Sequence, residues 1–163
     1  MSRFVKTLEK IQVTIGIIAL LIFFTAILIQ ILTRYLGWSV LWTEEVSTYS
    51  FIWAMFMGAS VMVNHREHFS FDTLQYKLSE INRNRLNMFI DSLLIAFNLF
   101  IVSYGITIIN HFWNYRWETV PFMKMGYVWL VIPVMAVSMI IYSLHHIIER
   151  VKNNKNRSEK EVV

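Results

Sequence analysis

Two adjacent carboxylic acids, Glu44 and Glu45, could in principle support chemistry. A carboxylate pair can act as a general acid and base or bind a cation. On a helix, however, adjacent side chains point about 100° apart, so these two would not converge on one atom. They follow Thr43, which we expect to cap a helix, and acids in a first turn are stabilised by the helix dipole. A structural or docking role is therefore favoured, with Arg34 as a candidate partner.

Asp91 is the only acid well inside an apolar stretch of the sequence. An acid within a membrane helix is a functional hypothesis by default. Asp91 lies only about one turn, or ~6 Å, beyond Asn87, which we place near the start of a helix, and there the dipole would favour it. A structural role and an ion-coupled role both stay open at this residue.

The histidines offer one possible cofactor site. Ligation of haem by two histidines requires both at one depth on facing helices. His65 or His68 could pair with His145 or His146, whereas His111 falls at the opposite end of the spans. An ordinary position at the membrane interface is the simpler interpretation of these residues. The sequence has no paired nucleophile and base and no glycine-rich phosphate loop, so we expect neither an enzyme nor a bound cofactor.

The composition identifies the class of protein that holds these residues. Of the 163 residues, 56% are hydrophobic and only 16% are charged, whereas about 25% are charged in a soluble domain. We therefore predict an all-α integral membrane protein with one four-helix domain over residues 1–150 and a polar tail without regular structure over 151–163. The absence of cysteine excludes disulfides and thiolate metal sites.

Long apolar runs predict transmembrane helices over about 11–33, 44–63, 86–110 and 125–148. Glu44 and Glu45 begin the second span, and Asp91 is the only formal charge in the third. Pro133 should kink the fourth. Short amphipathic helices are predicted at the membrane surface, one over the first ten residues and one over 72–84. Arg66 and His68, in the loop before the helix at 72–84, and Asp72, at its start, are expected to have structural roles.

The distribution of cations predicts the orientation. All but three of the 15 Lys and Arg residues lie at the two termini or in the middle loop, which are therefore predicted to be cytoplasmic. The exceptions are Arg34, Arg116 and Lys124. This pattern also accounts for the positive net charge without a nucleic-acid partner. The two short loops, which carry Glu44, Glu45 and Glu118, would then face outward.

The second span carries small residues at every fourth position: Ser50, Ala54 and Gly58. On a helix this spacing forms one stripe, along which another helix can approach closely. Trp53 lies beside the stripe. We expect these four residues to pack against a partner helix.

Three motifs together resemble one protein family. They are W-x-E-E at residues 42–45, F-x-W-x-x-x-x-G-A at 51–59 and H-x-x-x-D-x-L at 68–74. In order and spacing they are similar to the small membrane subunit of tripartite ATP-independent periplasmic (TRAP) transporters. Pro121 and Pro133 fit the same pattern, whereas Gly126 stands where the family pattern leads us to expect a second proline in the outer loop.

The resemblance implies a scaffold that binds a larger membrane subunit, which carries the substrate and sodium sites. A periplasmic binding protein would deliver an organic acid, such as a dicarboxylate, sialic acid or another sugar acid, and a sodium gradient would drive import. The location implied is the cytoplasmic (inner) membrane of a bacterium or archaeon. Arg34, Trp42, Glu44 and Glu45 would face the binding protein or hold the outer side together.

Two other classes stay open. One is a small oligomeric transporter that is complete in itself and uses Asp91 for ion coupling. The other is a haem-bearing membrane anchor of a respiratory complex. The sequence offers no obvious set of polar groups converging at mid-membrane, where transporters place substrate and ions, and this favours the scaffold.

Overall fold

The computed structural model describes residues 3–38, 40–65 and 80–161. These residues are mostly helical. Numbered along the described chain, the helices are α1 (Arg3–Tyr35), α2 (Trp42–His65), α3 (Glu80–Phe112), α4 (Gly126–Trp129) and α5 (Val131–Glu161). Within the described residues, four helical stretches are long and apolar enough to cross a membrane, the fourth running through α4 and α5 from Gly126 to Lys152. The predicted all-α architecture with four spans is confirmed.

The connection between α1 and α2 lies on the side predicted to face outward, which is called the outer side, and α1 ends just before Gly37, as the sequence predicts. The φ of Gly37, +79°, is a conformation that glycine adopts without steric cost. The N–H of Gly37 donates to the carbonyl of Arg34, and the N–H of Trp38 donates to that of Thr33. This pair of bonds satisfies carbonyls that the end of α1 would leave unpaired, and so stops the helix.

The predicted cap at Thr43 is wrong. Helix α2 begins one residue earlier, at Trp42, and the Thr43 hydroxyl donates to the carbonyl of Val40 at 2.9 Å rather than accepting from a helix N–H. Glu44 and Glu45 do lie in the first turn, where the dipole favours acids.

The long helices are arranged as a row rather than a closed bundle. Helix α1 packs along α2, α2 packs on α5, and α5 packs along α3, whereas α1 meets α5 only briefly. Helices α1 and α3 therefore form the two edges of the row and expose broad apolar surfaces. The core lies towards the inner side, where Val5, Val63, Met139 and Tyr142 are buried together.

A narrow seam joins α1 to α2. The buried residues of α1 recur every seven positions, at Val5, Gln12, Ala19 and Ala26. This is the spacing of a helix that meets its neighbour along one stripe. Gly16 lies beside this stripe, and a Cβ built there would be 3.5 Å from the Cβ of Met57. Small residues thus bring these two helices close together.

Pro133 lies in the first turn of α5, within the fourth span. Its ring is incompatible with a helical bond to the carbonyl of Trp129, four residues earlier, and α4 ends at Trp129. A Cβ built on Gly105 of α3 would be 3.3 Å from the Pro133 ring, so the two helices approach closely at this point. The predicted kink is therefore realised as the break between α4 and α5.

The expectations at the helix ends have different outcomes. The predicted N-terminal surface helix is continuous with the first span, since α1 runs without interruption from Arg3, and its place at the membrane surface stays a prediction. Helix α5 continues to Glu161, so the tail is helical over most of its length, contrary to prediction. The predicted surface helix over 72–84 falls largely outside the described residues, and its last residues belong to α3.

Candidate functional sites at the two ends of the helix row

The outer loop between α3 and α4 folds back on itself. The N–H of Met125 donates to the carbonyl of Tyr115 at 2.8 Å, and that of Trp117 donates to the carbonyl of Met123 at 3.1 Å. The Arg116 guanidinium binds the carbonyl of Pro121 at 2.7 Å. Both strands of this small hairpin are thus fixed, and the loop presents a defined surface.

Glu45 fastens this loop to α2. Its carboxylate accepts hydrogen bonds from the backbone N–H of Glu118 at 2.8 Å and from that of Thr119 at 2.9 Å. The Thr119 hydroxyl also donates to it. Next to this contact the ring of Tyr49 packs on that of Trp117, with 4.5 Å between centroids. Three donors occupy the Glu45 carboxylate, so its role within the chain is structural.

Glu44 differs from its neighbour because it is exposed and makes no hydrogen bond through its side chain in the described part of the chain. The predicted pairing of Arg34 with one of the acids is not formed among the described residues. Arg34 and Glu44 instead line a hollow of about 360 Å³. A second hollow of about 650 Å³ lies between Glu44, Tyr115 and Glu118. Exposed acids therefore surround open space on the outer side.

Packing explains why residue 126 is glycine, where the family pattern leads us to expect proline. A Cβ built there would lie 2.4 Å from the indole ring of Trp113, which is shorter than real contacts of this kind. The Lys124 ammonium lies 5.6 Å from the centre of the same ring, within range of a cation–π interaction. Trp113 thus anchors the end of the outer loop against α4.

The predicted small-residue stripe runs along a surface of α2 that this chain covers only in part. Ser50 and Trp53 line an apolar groove of about 340 Å³ between α1, α2 and the outer loop. Ala54 is half-buried next to α1, whereas Gly58 is exposed and a Cβ built there would contact nothing within 4 Å. Trp42 is also exposed, at the start of α2. Contact of this surface with a partner helix stays a prediction.

At the inner end, Asp91 is buried and paired. Arg150 Nη1 lies 3.3 Å from Asp91 Oδ2, and His146 Nδ1 lies 3.8 Å from Asp91 Oδ1. Helix α3 begins at Glu80, so Asp91 lies about three turns into the helix and the dipole of the first turn does not account for it. A charge partner on α5 explains the burial of this acid instead.

Polar side chains also join the other helices at this end. The Asn64 side-chain amide donates to Glu9 at 2.9 Å, and His65 Nε2 lies 2.6 Å from the same carboxylate. The Tyr142 hydroxyl donates to the Gln12 side chain. These contacts lie towards the inner end of the helices, so the expectation that no polar groups converge at mid-membrane stays a prediction. The sequence signal for these contacts was an amide at the edge of an apolar run, Gln12 at the start of the first and Asn64 just after the second.

These contacts do not favour the haem alternative. His65 Nε2 faces Glu9, and His146 Nε2 lies 3.1 Å from the backbone carbonyl of Asn64. The ring nitrogens that would have to bind the haem iron therefore already contact protein groups. The candidates Arg66, His68 and Asp72 lie outside the described residues. No cluster of three or more metal-ligating side chains occurs in the described ranges.

Comparison with known protein families gives a match over most of the chain. The family model described as tripartite ATP-independent periplasmic transporters, DctQ component, matches residues 23–153, which is well over half of the chain. The matched segment contains the last 13 residues of α1, all of α2, α3 and α4, the outer loop and most of α5. No protein with a curated description matches this chain.

Proposed function

The chain belongs to the DctQ family, the small membrane component of tripartite ATP-independent periplasmic transporters, and we propose that it acts there as a scaffold. In this role it binds the large membrane subunit and holds it in the bilayer, while the large subunit carries out transport. The chain itself carries neither the substrate nor the coupling ion.

The observation that carries this proposal is the pairing of Asp91. An acid that couples transport must exchange its ion or proton during each cycle. Asp91 instead contacts Arg150, a permanent cation, in a buried site near the inner end of the helix row. This pairing supports a structural role and argues against a transporter complete in itself.

The row arrangement supports the same role. A single layer of helices leaves both of its edge helices and much of its surface available to neighbours, whereas a closed bundle buries these surfaces. Polar contacts fix the row on its outer side through Glu45 and on its inner side through Asp91 and Asn64. A layer of helices that is held together on both its outer and its inner side is suited to brace a larger protein whose own parts move.

The proposed partners follow from the family. They are a large membrane subunit in the cytoplasmic membrane and a periplasmic protein that delivers an organic acid, a dicarboxylate or a sugar acid such as sialic acid. We further propose that a sodium gradient drives import and that both termini are cytoplasmic. The exposed acids Glu44 and Glu118 then face the binding protein.

Co-purification tests the scaffold role. The tagged chain, expressed with the large subunit from the same transporter and extracted in mild detergent, should elute with it as one complex on size exclusion. The control is the large subunit of an unrelated TRAP system, which should not co-elute. Elution of the chain as a separate species under conditions in which the transporter remains active would contradict the proposal.

A further inference from the structure

The seam between α3 and α5 contains buried polar groups that the scaffold role does not use. Asp91 on α3 meets Arg150 on α5, and the two helices run in opposite directions. Seven residues, or about 10.5 Å, deeper on each helix are Asn98 and Ser143. Two turns return each helix to nearly the same face, so Asn98 and Ser143 lie opposite each other on this seam.

Both residues are fully buried and each has an atom without a hydrogen-bond partner in the described chain. Asn98 is 1% exposed; its amide nitrogen donates to the carbonyl of Leu94 at 2.8 Å, whereas its Oδ1 has no donor. Ser143 is 0% exposed, and its Oγ has no partner. Leaving such groups unsatisfied is costly, and native proteins contain few of them.

His146 lies between these residues and Arg150 and has a related arrangement. Its Nε2 faces the carbonyl of Asn64 at 3.1 Å, so Nε2 must carry the proton for a hydrogen bond to form. In a neutral imidazole Nδ1 is then an acceptor, and it faces the Asp91 carboxylate, another acceptor, at 3.8 Å. This distance is too long for a direct hydrogen bond and suits a bridging donor.

We propose that the α3–α5 seam is a binding site for buried water. One water donates to Asn98 Oδ1 and accepts from the Ser143 hydroxyl. Another donates to both His146 Nδ1 and Asp91 Oδ1. Water fits because it supplies donors and an acceptor in one small molecule, and buried water typically binds two to four otherwise unpaired polar groups. The inner half of the seam is therefore hydrated, whereas Met57 packs against Gly16 across the α1–α2 seam.

Hydroxyl-radical footprinting of the full-length chain in lipid nanodiscs tests this. Radicals generated in buried water oxidise adjacent side chains that bulk solvent does not reach, and methionine sulfur is readily oxidised. Met139 lies one turn from Ser143 on the same face of α5, and both Met139 and Met57 are buried, at 6% and 1% exposure. Met139 should be oxidised faster than Met57. Equal, slow oxidation of the two would overturn the proposal.

Two serine variants provide a matched comparison on α5. Ser138 and Ser143 are both buried, but the Ser138 hydroxyl donates to the carbonyl of Val134 in its own helix at 2.7 Å and needs no water. Ser143→Ala should slow the oxidation of Met139 and lower the melting temperature by about 2–4 °C. Ser138→Ala should change neither. An unchanged or higher melting temperature for Ser143→Ala would mean that its hydroxyl binds nothing.

The ion composition distinguishes water from a bound cation. Acceptor oxygens such as these could hold a small monovalent ion instead. Exchanging sodium for a bulky organic cation at constant ionic strength should leave the melting temperature and the oxidation of Met139 unchanged. A loss of stability that sodium restores in the wild-type chain but not in Ser143→Ala would identify a cation as the occupant and contradict the proposal.

Discussion

The carboxylate of Glu45 on α2 accepts hydrogen bonds from the backbone N–H and the hydroxyl of Thr119, 74 residues away in the outer loop. Its neighbour Glu44 makes no such contact and is exposed. Two adjacent acids with the same chemistry are therefore placed differently. Glu45 holds the outer loop to α2, and Glu44 is the one proposed to face the binding protein.

Substituting each acid in turn should distinguish the two by stability. Glu45→Gln removes the charge from three hydrogen bonds and places an amide donor next to backbone donors, so we expect it to lower the free energy of unfolding by about 1–3 kcal/mol. Glu44→Gln should have no measurable effect. Thermal melting of the purified chain in one detergent checks both. A Glu45→Gln variant that melts at the wild-type temperature would mean that the loop contact is not stabilising.

The same pair should differ in the opposite sense when the binding protein docks. Glu44→Gln should slow association of the binding protein with the assembled membrane complex, and the difference from wild type should shrink at high salt, because exposed charges are screened. Surface-immobilised complex and a series of salt concentrations provide the rates. If association of Glu44→Gln matches wild type at low salt, Glu44 does not take part in docking.

Asp91 and Arg150 should be energetically coupled. Replacing one partner leaves the other charge buried and unpaired, at a cost of up to about 3–5 kcal/mol, whereas replacing both by apolar residues costs much less. Asp91→Leu and Arg150→Met should each lower the melting temperature, and the double variant should lose less than the two losses combined. A double-mutant cycle measures this coupling. Strictly additive losses would show that the two charges do not stabilise each other.

Two glycines should respond to enlargement in different assays. Gly16→Leu overpacks the contact with Met57 and should destabilise the chain itself by about 1–3 kcal/mol. Gly58 faces open space in this chain, so Gly58→Leu should leave its melting temperature unchanged and weaken only assembly with the large subunit, by a similar amount. Met55→Leu, an exposed and nearly volume-conserving change, is the control. Normal assembly of Gly58→Leu would show that no helix packs on this stripe.

The orientation can be tested independently of the partners. Reporter fusions after Trp38 and Trp117 should be active outside the cytoplasm, and a fusion after Lys77 should be active inside it, because the cations cluster at the termini and in the middle loop. A cytoplasmic signal at Trp38 would reverse the assignment of the outer side and with it the docking role of Glu44.

Much of the fold could be predicted because the length of an uncharged run limits where a span can lie. The second span, expected over 44–63, is Trp42–His65, and the break at Gly37 is where the sequence places it. The predicted ends of the helices were less accurate than their existence, because polar residues can continue a helix beyond the membrane. The distance of Asp91 from the start of its helix was underestimated for this reason, since α3 begins at Glu80 rather than at residue 86.

The contacts between distant segments could not be predicted from the sequence. The position of Glu45 in a first turn suggested stabilisation by the helix dipole, whereas its hydrogen-bond donors come from a loop that only the fold brings near. In the same way, the row order of the helices follows from which apolar faces fit together, and all four spans are apolar enough to pack in several orders. Asn98 and Ser143 showed no pattern in the sequence, because they lie on different helices.

The most direct measurement of the scaffold role is uptake of a labelled organic acid into proteoliposomes under an inward sodium gradient, with the binding protein outside. The substrate is chosen as the organic acid that the purified binding protein retains. Liposomes that contain both membrane subunits should accumulate it, those without this chain should not, and this chain alone should transport nothing. Sodium-driven uptake by this chain alone, or full uptake in its absence, would contradict the account.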